Sequence, residues 1–165
     1  MNLQSLEAIK KAGFVGFKSI SQLWNESSII PNEKGVYLII NSTPSNKEFL
    51  ETSVGGWFKN ENPTKPITYL ESNWVEASYI IYIGQAGGNN SLATLKKRLK
   101  QYLNFGKGKP AAHRGGKLIW QLKNHSELIV AWKTLKEENP SIVESQLLKD
   151  FVDFYGKLPF ANLKM

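Results

Sequence analysis

Two short runs constrain this chain most. Val36 to Ile40 reads as a strand with Val36, Leu38 and Ile40 on one face and Tyr37 and Ile39 on the other. Tyr79 to Ile83 reads as a second strand, with Ile81 and Ile83 opposite Ile80 and Tyr82. Paired antiparallel, the two place Tyr37 and Tyr82 on the same sheet face. They also carry the tripeptides Gly35-Val36-Tyr37 and Tyr82-Ile83-Gly84, with 44 residues between the two tyrosines. A fold that pairs them must close that long connection, which costs little more entropy than closing a shorter one.

The rest of the chain alternates helical and irregular stretches. Residues 1–33 read as a helical extension: Leu3, Leu6 and Ile9, then Ile20, Leu23 and Trp24, have helical spacing, split by Gly13-Phe14-Val15-Gly16-Phe17. Residues 41–78 form an insertion too aromatic for a disordered linker, with a short helix expected at Ile67 to Leu70. Gln85 to Ser91 reads as a loop, followed by a helix with Leu92, Leu95, Leu99 and Leu103 as its apolar stripe. Gly115-Gly116 opens another helical run with Leu118, Ile119 and Leu122 inward, and Leu128 to Trp132 reads as a third strand. A last helix starts at Pro140-Ser141 and ends at Tyr155-Gly156, a glycine C-cap. Pattern alone gives one α+β domain over residues 1–165.

Charge narrows the partners. The chain carries a net +7, and residues 80–124 hold nine bases and no acid. Such a block is an electrostatic footprint for a polyanion, or else a solvated face. With no cysteine there is no disulfide and no thiolate metal site, and two histidines make a multi-histidine zinc site improbable. No apolar run approaches the roughly 20 residues of a membrane span. The first residues lack the basic-then-apolar layout of a signal peptide, so the expected location is cytoplasmic.

After the two tripeptides come Arg98, Tyr102, His113, Glu144 and Asn162. This ordered set resembles the GIY-YIG nuclease family. The insertion and the Leu158-Pro159-Phe160-Ala161-Asn162 ending are similar to standalone bacterial members with no assigned role. The resemblance implies a small three-stranded antiparallel sheet flanked by helices. It implies a metal-dependent endonuclease that hydrolyses phosphodiester bonds in DNA, using a single Mg²⁺ or Mn²⁺. Two features depart from the family's usual pattern: the tripeptides lie farther apart, and Gln85 stands where some relatives carry a lysine.

Hydrolysis of a phosphodiester needs an aimed and deprotonated water, stabilised phosphoryl charge and a neutralised leaving oxygen, and a metal often serves several of these. The resemblance makes Glu144 the metal ligand; read by itself, Ser141-x-x-Glu144 is a capping box. Arg98 would fork onto phosphate oxygens, and by spacing shares a helix face with Tyr102. Tyr82 is the general base or the group that orients the water, and Tyr37 its partner; both also suit the filling of a sheet face. His113 would pass a proton or hold a phosphate, while His125 earns no functional reading. Lys96, Lys97, Tyr102, Lys107, Lys109, Arg114 and Lys117 are expected to contact substrate. Gly84 and Asn162 support the site, Asn162 by hydrogen bonds. Cutting both strands takes two sites, which leaves room for a homodimer or a targeting partner. Two further readings stand beside the nuclease: a nucleic-acid-binding module on the same fold with weak or no catalysis, in which insertion aromatics such as Trp57, Phe58, Tyr69 and Trp74 stack on unpaired bases, and a small nucleotide phosphoesterase.

Overall fold

The run Gly35–Ile40 is buried at every position, which a strand achieves only at the centre of a sheet covered on both faces. The structure, a computed structural model, describes residues 3–111 and 115–165 and shows this arrangement. In chain order the elements are α1 (Leu6–Lys11), β1 (Val15–Ser19), α2 (Ile20–Asn25), β2 (Gly35–Ile40), α3 (Ile67–Asn73), β3 (Ile80–Ala86), α4 (Leu95–Gly106), β4 (Ile129–Thr134) and α5 (Pro140–Tyr155). Short 3₁₀ turns occupy Ser27–Ile29, Lys117–Gln121 and His125–Glu127. The sheet has the order β1-β4-β2-β3, and every pairing is antiparallel.

The sheet therefore has four strands where three were expected, although the α+β class holds. The extra edge strand, β1, falls in the segment read as a break between helices. Gly16, at φ +94°, lies under the Trp132 ring, where a Cβ would stand 2.6 Å from the indole. A bulge between Gly16 and Lys18 then shifts the register. Glycine here serves a close backbone-to-ring approach inside a strand.

Two cores flank the sheet. Tyr37, Ile39, Ile81, Tyr82, Val130 and Trp132 face a layer built from α2, α3, α4 and the 117–121 turn. Val36, Leu38, Ile40, Ile80, Ile83 and Ala131 face α1 and α5. Tyr37 and Tyr82 share a face as their spacing implies. Ile80 and Ile81 exchange the faces expected of them. A bulge between Ile39 and Ile40 pairs Ile40 with Ile80, so Ile81 joins Tyr82's side and Ile80 joins Ile83's.

The helices follow local sequence with two shifts. α4 begins at Leu95 behind a Thr94 cap, so Leu92 lies outside the apolar stripe and is 96% exposed. The run after Gly116 is a 3₁₀ turn, yet Leu118, Ile119 and Leu122 are buried as expected. α5 ends at Gly156, φ +77°, as its sequence foretells.

The insertion is stitched to the core by one buried side chain. Gln121 Nε2 donates to Leu50 O and Lys65 O at 3.0 and 2.8 Å, and its Oε1 accepts from Lys65 N at 2.9 Å. Leu50 N and Val54 N add bonds to the Gln121 and Trp120 carbonyls. The insertion's helix, α3, runs on to Asn73 and buries Leu70. Among the described residues no helix is long and apolar enough to cross a membrane.

Candidate active site

β3 is an edge strand, and the candidate site opens along its outer side. Tyr82 leaves β3 on the α4 face, packed between two other tyrosines. Its ring stacks on Tyr102 of α4 at 5.9 Å between centroids and meets Tyr37 of β2 at 6.0 Å. Gly84 lies opposite Tyr37 in the strand register. A Cβ at Gly84 would sit 2.5 Å from Tyr37 Cζ, so the second tripeptide's glycine makes room for the first tripeptide's tyrosine.

The three phenols differ in exposure. Tyr37 and Tyr102 have no accessible surface; Tyr82 keeps 6%. The Tyr102 hydroxyl donates to Gly116 O at 2.9 Å. Tyr102 was expected to contact substrate; burial instead makes it the support beneath Tyr82 and the 116 backbone. Tyr37 is likewise enclosed, and its buried hydroxyl lies against that of Tyr82. Burial first, then the neighbouring Tyr82, raises its pKa well above the ordinary phenol value. Of the three, Tyr82 reaches the opening.

That opening is a cleft of about 440 Å³ whose lining includes Tyr82, Gln85, Arg98, Gly115, Glu144 and Asn162. Three elements converge on it: β3 brings Tyr82, α4 brings Arg98 from one side of the sheet, and α5 brings Glu144 from the other. Glu144 precedes the buried Leu147 and Leu148 by three and four residues, so it shares their inward helix face. Burial pushes its carboxyl up from an ordinary 4.5 to about 7, with the Arg98 guanidinium opposing part of the rise. Tyr82 is pushed up to about 12, by burial first and then by the Glu144 charge; Arg98 again opposes. Both shifts carry the Arg98 charge, and all three residues line the same cleft.

Glu144 is not a capping residue. The cap of α5 is Asn139, whose side chain accepts from Ser141 N at 3.0 Å, with Pro140 as the first helical residue. The capping box inferred from Ser141-x-x-Glu144 is absent because the helix begins two residues earlier than that motif requires.

Asn162 braces β3 from outside. Its Oδ1 accepts from Ile83 N and its Nδ2 donates to Ile83 O, both at 2.9 Å, while Ala161 N donates to Ile81 O at 2.8 Å. The carboxamide thus imitates a neighbouring strand at the residue between Tyr82 and Gly84.

A divalent cation fits a limited donor set here. Among the described residues no group of three or more His, Cys, Asp or Glu gathers as a cage. The carbonyl oxygens of Gln85 and Asn162 are engaged by Gly88 N and Ile83 N. Glu144 remains as one hard carboxylate. That suits an ion such as Mg²⁺, which keeps most of its waters and takes few protein ligands.

The expected substrate-contacting bases are unevenly placed. Lys97, Lys107 and Lys109 are exposed, and Lys96 and Arg98 are partly so. Lys117 is 16% exposed and pairs with Glu61 at 3.6 Å. His113 and Arg114 lie outside the described residues. Gly115, next in sequence, runs so close over the Tyr82 hydroxyl that a Cβ there would collide with it. His125 packs edge-on against Trp24 and Trp120 at 6.3 and 6.0 Å, and burial lowers its pKa. Sequence reasoning missed Lys164, which lines the cleft as a further cation. No motif marked it; its nearness to Asn162 was the sole signal. Comparison with known proteins identifies no relative: no family model, no curated protein and no solved structure matches this chain.

Proposed function

We propose that this chain is a metal-dependent endonuclease of the GIY-YIG type, hydrolysing phosphodiester bonds in DNA at the cleft between β3, α4 and α5. What carries the reading is the convergence of Tyr82, Arg98 and Glu144 on one cleft, although Arg98 and Glu144 lie 46 residues apart in sequence. These are the residues that the two tripeptides and their downstream partners single out for this chemistry.

In this reading Arg98 forks onto the non-bridging phosphate oxygens and stabilises the charge that builds up in the transition state. Glu144 holds a single Mg²⁺ or Mn²⁺, which when bound polarises the phosphate and neutralises the leaving oxygen. Tyr82, with a pKa near 12, keeps its proton at neutral pH, so it acts by aiming the attacking water through its hydroxyl. Tyr37 and Tyr102 hold that phenol in place. Gln85 occupies the rim where some relatives carry a lysine and cannot take the attacking water's proton, which leaves to solvent through the open cleft, while Glu144 stays ionised as the ligand that would hold the ion. The exposed bases of α4 and the 107–109 segment hold the polyanion. The location expected for such an enzyme is the cytoplasm, and two copies would serve a cut through both strands.

The test uses supercoiled plasmid with Mg²⁺ or Mn²⁺, with chelator, and with Glu144→Ala and Arg98→Ala purified in parallel. The expected result is nicking by wild type with metal alone and silence from both variants. Equal activity in wild type and variants refutes catalysis by this cleft. Retained, salt-sensitive DNA binding without metal-dependent nicking would leave the binding module as the reading to prefer.

A further inference from the structure

The insertion does more than lengthen a loop. Its return path is pinned by Gln121, and Gly56 N donates to Phe105 O at 2.8 Å, which sets residue 57 beside the end of α4. From there the chain makes a tight reversal: Lys59 and Asn60 take φ +53° and +60°, and Phe58 pairs with Glu61 across the turn. Asn and the short two-residue reversal are the usual means of such a hairpin tip. The insertion's four large aromatics now separate. Trp74 is 4% exposed in the core, Phe58 is half-buried under the Lys59 ammonium at 5.5 Å, and Tyr69 is partly out. Trp57 stands 57% exposed. The exposed bases Lys59, at the tip, and Lys109, whose carbonyl packs against Gly56, belong to the same neighbourhood, whereas the Lys107 ammonium lies over the Trp24 ring at 5.7 Å.

A depression of about 390 Å³, lined by Glu61, Asn62, Pro63, Lys65 and Lys117 among others, adjoins the tip, and within it Glu61 pairs with Lys117 at 3.6 Å. Leu163 lines both this depression and the candidate active cleft. Leu163 thus stands between cleft and depression, Glu61 joins the depression to the hairpin tip, and Lys65 is the lining cation that carries no ion pair among the described residues.

We propose that this surface is a binding track for unpaired nucleotides: a single strand leaving the active cleft passes Lys65 and stacks a base on Trp57. An indole face can pair with a base face only where the base is not already stacked inside a duplex, while flanking ammonium groups serve the phosphates. The track rests on the nuclease reading only for the word active; its ligand class follows from the indole and the lysines.

The test measures binding of a fluorescent oligothymidylate of about 15 nucleotides, and of a duplex of equal length, by anisotropy in chelator. The proteins are wild type, Trp57→Ala, Trp57→Phe and Lys65→Ala. Trp57→Ala is expected to weaken oligothymidylate binding about tenfold and leave duplex binding unchanged, with Trp57→Phe restoring most of the loss. Lys65→Ala is expected to lower the single-strand salt slope by about 0.7. Unaltered oligothymidylate binding by Trp57→Ala, or equal losses on both ligands, overturns the track. Plasmid nicking by the same samples judges the hydrolase separately. Nicking that depends on Glu144 beside Trp57-independent binding sinks the track alone, whereas Trp57-dependent binding without nicking sinks the hydrolase and keeps the track.

Discussion

Replacing Glu144 with glutamine should stabilise this protein at alkaline pH while abolishing the activity proposed for it. Burial holds the Glu144 carboxyl near 7 in the folded chain against an ordinary 4.5. Because the folded pKa is raised, the folded state binds more protons than the unfolded state between those values, and stability falls as pH rises through the window. Below about 4.5 the term vanishes; above about 7 it is complete. At 1.36 kcal/mol per pH unit the full displacement corresponds to about 3.4 kcal/mol. The carboxylate is partly solvated, so screening reduces this to about 1–2 kcal/mol. Urea unfolding of wild type and Glu144→Gln at about pH 5 and pH 8 reads it directly. The variant should be more stable by about 1–2 kcal/mol at the higher pH, with the gap nearly closed at the lower. Added Mg²⁺ at tenfold its dissociation constant should return about 1.4 kcal/mol to wild type and nothing to the variant. A gap that is constant across pH, or that favours wild type at pH 8, would refute the claim that Glu144 is a half-buried carboxylate only partly compensated by Arg98.

Other changes test the support around the site. Asn162→Ala strips partners from Ile83 N and O at once and should cost about 2–4 kcal/mol, read by urea unfolding, with faster hydrogen exchange at the Ile83 amide. Gly84→Ala forces the Tyr37 ring aside and should cost about 1–3 kcal/mol, read as a lowered melting temperature. Changing Lys97, Lys100, Lys107 and Lys109 together to glutamine should flatten the salt dependence of duplex binding by up to about 3.6 in slope, with little change in stability; an unchanged slope places the polyanion elsewhere.

Some of this architecture is legible in the chain and some is not, for physical reasons. The two-residue period of a strand places Tyr37 and Tyr82 on one face without any tertiary knowledge. The same period misassigns Ile80 and Ile81, because a bulge depends on the partner strand and leaves no mark in its own residues. β1 escapes notice because Gly16 looks like a breaker until Trp132 is seen lying over it. The capping box at Ser141 is a sound local pattern that loses to a better start two residues upstream, Asn139 followed by Pro140. The resemblance singles out Tyr82, Arg98, Glu144 and Asn162, and all four line one cleft. The burial of Tyr102 is not, since a helical tyrosine beside lysines can face either way. The exposure of Trp57 is equally hidden until the insertion's path is known.

The clasp of Asn162 on Ile83 has a consequence for how the protein is made. Its partners lie 79 residues apart, so the edge strand that carries Tyr82 emerges long before its cover. At about 5–20 residues per second, synthesis leaves a gap of roughly 4–16 s between them. During that interval β3 presents open amide and carbonyl groups, a template for pairing with other chains. The nascent protein is then most prone to misassociation, and the cleft around Tyr82 is still unfinished. Arrival of Ala161 and Asn162 ends both conditions together, so a chain cut short of them should keep an uncovered β3 edge and associate with its neighbours.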